Sequence, residues 1–93
     1  MEVKHRQTES KGAFLIEVTS NVGAQMTYSK AGTDRLIIDH TEVSEELRGT
    51  GAGKQLVIAA VEYARAHDVK IIPLCPFAKS VFDKNKDMHD VLA

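Results

Sequence analysis

The stretch "RLIIDHTEVSEELRGTGAGKQLVIAAVEYARAHDVKIIPLCPF", Arg35 to Phe77, decides the fold. Its first part, Arg35 to Val43, is rich in β-branched residues and reads as a strand. From Gly51 to Ala66 the apolar residues include Leu56, Val57, Ala60, Val61 and Ala64. Their spacing of three and four puts them on one face of a helix. Arg65 and His67 stand at the end of that helix, where its dipole favours positive charge. "VKIIPLCPF" follows as a nearly continuous apolar strand that Pro76 ends. Strand, helix, apolar strand is a crossover unit whose two strands run parallel, with a right-handed connection.

Upstream, the chain reads as further strands. "AFLIEVTS", Ala13 to Ser20, is bounded by the turn signals Ser10-Lys11-Gly12 and Asn21-Val22-Gly23. "AQMTYSK", Ala24 to Lys30, then forms a hairpin with it, and Val3 to Thr8 pairs on its other side. Ala31-Gly32-Thr33 turns the chain into Arg35–Val43. Downstream, a short helix is predicted from Ala78 to Lys84 and a last turn in "MHDVLA". The expected class is α/β (α+β): a mixed sheet with an antiparallel N-terminal meander followed by a parallel strand–helix–strand crossover. Residues 1–93 are read as one minimal domain.

The junction "RGTGAGKQ", Arg48 to Gln55, has the glycines and basic residues of a phosphate cradle. A Walker A loop requires glycine at position 48 and a hydroxyl at 55, where Arg48 and Gln55 stand. A dinucleotide fingerprint starting at Gly49 requires a third glycine where Lys54 stands. What remains is Arg-x-x-Gly-x-Gly (Arg48, Gly51, Gly53), placed between a strand and a helix. Glycine lets the backbone approach an anion closely. The first N–H groups of a helix lack internal partners, and the dipole adds to their attraction for negative charge.

Bulk properties narrow the partners. With 12 basic and 13 acidic residues the net charge is -1, which gives no support to a nucleic-acid partner. The hydrophobic share, 43%, is that of a folded globule. The only cysteine is Cys75, so no internal disulfide forms, and no metal-ligand spacing is present. "MEVKHRQTES" does not read as a secretory signal, and no run is long enough for a membrane span. A cytoplasmic protein is expected, as a monomer or weak dimer.

"VSEELRGTGAGKQLV" resembles the acetyl-coenzyme A loop of the GNAT superfamily of N-acetyltransferases, with its [RQ]-x-x-G-x-[GA] pattern. His40-Thr41-Glu42-Val43 before the loop and Pro73-Leu74-Cys75-Pro76-Phe77 after the helix resemble the small single-domain group often called YjdJ-type. The resemblance covers roughly the C-terminal two-thirds of the chain. It implies a pyrophosphate held by the backbone amides of Arg48, Gly49, Thr50, Gly51, Ala52, Gly53 and Lys54. It also implies a pantetheine arm beside Thr41 and Val43, as if adding a strand, and splayed fourth and fifth strands with the thioester in the V. Larger relatives insert two helices after the first strand, where this chain has a short turn. Many also carry a glutamate near the position of Ile37.

Within that frame three residues are candidates for the chemistry. Cys75, at the end of the fifth strand and just before a helix, is a candidate nucleophile that would take the acetyl group as a thioester. His40 is placed by strand alternation on one face with Leu36 and Ile38, and is a candidate base for an amine or for Cys75. Glu42, on that same face, would orient His40 or act in its place. Asp39 and Thr41 would point to the opposite face unless a bulge intervenes. Lys54, at the head of the helix, is the cation best placed for the nucleotide end, ahead of Lys79 and Lys84. His5, His67 and His89 have no clustered partners in the sequence. The function expected is acetyl-CoA-dependent N-acetyl transfer to an unidentified amine, either a small molecule or a protein lysine. Direct attack and an acetyl-Cys75 intermediate both stay open. The alternative is a coenzyme A-binding module without transfer, and behind it a plain structural domain.

Overall fold

The computed structural model describes every residue from Met1 to Ala93. Five strands form one sheet in chain order: β1 (Lys4–Gln7), β2 (Lys11–Val18), β3 (Asn21–Ala31), β4 (Arg35–Val43) and β5 (Lys70–Pro73). The first three pairings are antiparallel and β4–β5 is parallel. Helix α1 (Ala52–His67) makes the crossover, and α2 (Pro76–Lys84) follows β5. Short 3-10 segments cover Glu45–Leu47 and Lys86–Val91. The mixed sheet expected from the pattern is therefore present. No helix is long and apolar enough to cross a membrane.

The core lies between one face of the sheet and the two helices. Phe14, Ile16, Ala24, Met26, Tyr28, Leu36, Ile38 and Ile71 come from the strands. Leu56, Val57, Ala60, Val61 and Ala64 come from α1, and Ala78, Val81 and Phe82 from α2. The apolar stripe read from the sequence of α1 is thus its buried face. The C-terminal segment is pinned across this layer. Arg65 forks onto the Asp90 carboxylate at 2.8 and 3.0 Å and donates to the Asp87 carbonyl, and Leu92 bridges to Ile71 beside β5.

The first two of the three hairpin turns differ from expectation, for one reason. The first loop is Glu9-Ser10, closed by the Thr8 N–H donating to the Lys11 carbonyl at 2.8 Å, so Lys11 and Gly12 lie inside β2. The second is Thr19-Ser20, both at positive φ, so Asn21 to Gly23 lie inside β3. Gly12 and Gly23 are strand residues over which another side chain passes. A Cβ at Gly12 would stand 2.3 Å from the Tyr28 ring, and one at Gly23 would stand 2.6 Å from Leu47. Glycine inside a strand marks such close approaches.

The histidines are also less isolated than the sequence implies. His5 stacks on Phe14 with ring centroids 4.2 Å apart, meets Tyr63 edge-on at 4.7 Å, and shares a 2.6 Å hydrogen bond between Nε2 and the Tyr28 hydroxyl. His67 stacks on Tyr63 at 4.1 Å, and His89 Nε2 lies 2.6 Å from the Phe82 carbonyl. Burial, then the charges of Lys30 and His67, lower the His5 pKa from its ordinary 6.5. The unfolded chain therefore takes up the proton first as pH falls. Stability present above pH 6.5 is lost as pH drops below it toward the folded value. Urea midpoints measured on either side of that pH will show the loss. His5→Phe removes this part of the dependence; an unchanged pH profile in that variant would refute the assignment.

Candidate functional site

β4 and β5 part company midway. Their ladder ends at Ile38↔Pro73, while β4 runs on to Val43. Proline has no N–H to continue a ladder. The next two N–H groups, of Leu74 and Cys75, both donate back to the Ile38 carbonyl at 3.0 and 3.1 Å, which turns the chain away. The strand therefore ends at Pro73, earlier than the expected Pro76, and Cys75 is the N-cap residue of α2. Beyond Ile38 one edge of β4 is open. Ser44 donates to Gly23 across the β3 side. Strand alternation then turns the N–H and C=O groups of Thr41 and Val43 toward the opened edge.

A bulge sets which side chains meet there. Thr27 pairs with His40 and Tyr28 with Ile38, leaving Asp39 as the extra residue of β4. The bulge inverts the expected alternation. Thr41 and Val43 pair with the inward-facing Met26 and Ala24, so they share the helix-covered face with Leu36 and Ile38. His40 and Glu42 move to the outer face, with side chains 66% and 73% exposed and a 2.9 Å contact from His40 Nε2 to Glu42 Oε1. The pairing of His40 with Glu42 holds, but the placement of His40 on the face of Ile38 does not. A proton relay from Cys75 to His40 would cross the strand. Cys75 is buried on the helix face, and its thiol donates to Thr41 Oγ1 at 3.3 Å.

The glycine loop stands at the open end of β4. Gly49 and Gly51 have φ of 79° and 85°, the left-handed region that favours glycine. Gly51 is the N-cap of α1. The amides of Gly49, Gly51, Ala52, Gly53 and Lys54 donate to no backbone or side-chain acceptor. Those of Arg48 and Thr50 donate to the Glu45 and Leu47 carbonyls, both at 3.2 Å. Of the seven amides that the resemblance assigns to the pyrophosphate, five are thus free, because two close the turn that presents the others. Phe77 roofs the first turn of α1, and a Cβ at Gly53 would stand 2.5 Å from its ring.

A groove of about 690 Å³ runs from this loop between the helices, lined among others by Val43, Arg48, Lys54, Phe77, Ser80 and Lys84. Arg48, Lys54 and Lys84 are its charged residues, and no acidic residue lines it. Lys79 instead pairs with Asp83 at 3.2 Å. A second hollow of about 590 Å³, on the other side of the end of β4, is lined by Gly23, Gln25, Thr41, Glu42, Ser44 and Arg48. Phe77 and Ser80 were not legible as site residues, since only the packing of α2 against the loop brings them there. The arrangement suits a long ligand with an anionic middle on the free amides and an extended arm along the open edge of β4.

Comparison with known proteins agrees with this geometry. Residues 13–91 match the family model of the GCN5-related N-acetyl-transferases. An NMR structure of a GCN5-like candidate N-acetyltransferase from Staphylococcus aureus is 42% identical, with a TM-score of 0.75, and the match covers 99% of this chain and 87% of that one. A ribosomal-protein-alanine N-acetyltransferase from Brucella melitensis biovar Abortus 2308 shares the fold at 20% identity and a TM-score of 0.65, over 92% of this chain and 64% of its own. So does a candidate streptothricin acetyltransferase from Bacillus anthracis str. Ames, solved with acetyl coenzyme A, at 16% identity and a TM-score of 0.58, over 71% and 39%. With the family model spanning residues 13–91 and a GCN5-like structure 42% identical over 99% of the chain, this chain belongs to the GCN5-related N-acetyltransferase family.

Proposed function

We propose that the protein transfers an acetyl group from acetyl-coenzyme A to an amine. The observation that carries this reading is the row of five free amides at the head of α1, set beside the open edge of β4. The pyrophosphate fits the amides of Gly49, Gly51, Ala52, Gly53 and Lys54. Lys54 and Lys84 stand ready for the nucleotide end. The pantetheine amides pair with Thr41 and Val43 as a strand would. A β4 N–H near Thr41 polarises the thioester carbonyl.

The amine arrives on the outer face, which no helix covers. Its nitrogen attacks the carbonyl carbon, the N–C bond forms, and the C–S bond breaks to release coenzyme A as its thiolate. The proton lost from nitrogen goes to His40, oriented by Glu42, and then to solvent. A covalent route has one observation in its favour: Cys75 lies at the V on the helix face, beside Thr41. There its sulfur would take the acetyl group from coenzyme A, which leaves with the cysteine proton, and would then pass it to the amine.

Two measurements test the proposal. Coenzyme A added to labelled protein is expected to shift the amide resonances of Gly49 to Lys54 and of Thr41 and Val43; unmoved resonances at millimolar ligand would refute it. Incubation with acetyl-coenzyme A, read by intact mass, separates the routes. A gain of one acetyl group that Cys75→Ser abolishes supports the covalent route. Turnover with amines that survives Cys75→Ser supports direct attack. Loop shifts without adduct or turnover would reduce the protein to a coenzyme A-binding module.

A further inference from the structure

The bulge that turns His40 outward also exposes Asp39, and the outer face holds a cavity of about 520 Å³ at that point. Arg6, Lys11, Ala13, Thr27 and Asp39 are among its lining residues. Arg6, Ala13 and Thr27 form one cross-strand row, which Asp39 and His40 extend onto β4. Ala13 leaves a trough between the charged ends. The two ends carry opposite charges without close partners. Asp39 accepts hydrogen bonds from the hydroxyls of Thr27 and Ser29 and makes no ion pair. Lys11 makes none either, and Arg6 reaches Glu17 only at 3.9 Å.

We infer that this cavity binds the acceptor, and that the acceptor is an amine carrying a carboxylate several bonds from its nitrogen. The inference rests on the transferase reading and deepens it. Asp39 follows Ile38, the last β4 residue paired with β5, so its backbone lies one residue past the point where the strands part, and its carboxylate, held over β3 by Thr27 and Ser29, places a bound ammonium on the outer face that also carries His40. The cationic end lies two strands away for Lys11 and three for Arg6, roughly 10–14 Å between backbones. Both side chains are long enough to shorten that span by reaching into the trough. An amine with a second positive charge would meet Lys11 and Arg6 and be repelled. A simple alkylamine would leave them unmatched.

The test uses ε-aminocaproate, hexylamine and hexanoate as probes, each titrated into the full chain at saturating coenzyme A. Amide shifts of Arg6, Ala13 and Thr27 report the cavity, and those of Gly49 to Lys54 report the loop. ε-Aminocaproate is expected to bind at least about tenfold more tightly than either singly charged probe, as each end adds a charge-assisted contact. Lys11→Met should lower its affinity to that of hexylamine, and Asp39→Asn to that of hexanoate. Both positions are exposed, so neither change touches the core. Equal binding of hexylamine and ε-aminocaproate, or outer-face amides that do not move while the loop amides do, would overturn the inference and leave the transferase reading standing. Loop amides that ignore coenzyme A would overturn both.

Discussion

Gly51→Val is expected to weaken coenzyme A binding about a hundredfold while leaving the protein folded. Gly51 has φ of 85° and caps α1. A β-branched residue there carries roughly 1–3 kcal/mol of backbone strain, and each 1.4 kcal/mol is about tenfold in affinity. Nothing lies within 4 Å of its Cβ position, so the loss is conformational and not a collision with a neighbour. The strain is relieved when φ reverts to negative values, and the amides of Gly51 to Lys54 then leave their present arrangement, which the ligand must restore. Calorimetric titration with coenzyme A measures the loss, and circular dichroism checks that the helices persist. Affinity equal to that of the unaltered protein would mean that the converging amides are not the anion site.

The second large effect is on stability. Tyr28 is 1% exposed, its ring crosses Gly12, and its hydroxyl meets His5. Burial, with a smaller contribution from Tyr63, pushes its pKa up to about 12, so the phenol stays neutral. Tyr28→Ala is expected to cost about 3–5 kcal/mol, by analogy with other large buried aromatics. A chain of this length has only about 5–14 kcal/mol in total. Tyr28→Phe keeps the ring and loses the hydroxyl, so it should cost about 1 kcal/mol. Urea unfolding separates the two variants. A Tyr28→Ala protein within about 1 kcal/mol of the parent would show that the ring is not what holds β1 and β2 to the core.

Much of the crossover unit was legible because its signals are local. The helix stripe from Leu56 to Ala64 needs only a period of 3.6, and the match of Arg35–Val43 to β4 needs only β-branched content and a bounding turn. The loop was legible because glycine at a strand-to-helix junction has few other uses. The hairpin ends were misread because Gly12 and Gly23 answer to Tyr28 and Leu47, residues distant in sequence, and not to the turns beside them. Asp39 was passed over for the same kind of reason. An alternation of two assumes an unbroken strand, and nothing local to "IIDHTEV" announces an unpaired residue.

Sequence by itself determined the order of elements, the parallel crossover and the position of the glycine loop, because each follows from periodicity, backbone freedom and the missing N–H of proline. Only the tertiary structure decided which face of β4 each candidate occupies. That choice turns on the bulge at Asp39, which sets Thr41 beside Cys75 and sends His40 and Glu42 to the opposite side. A bulge is selected by the partner strand and the packing behind it, and one inserted residue reverses every side chain that follows.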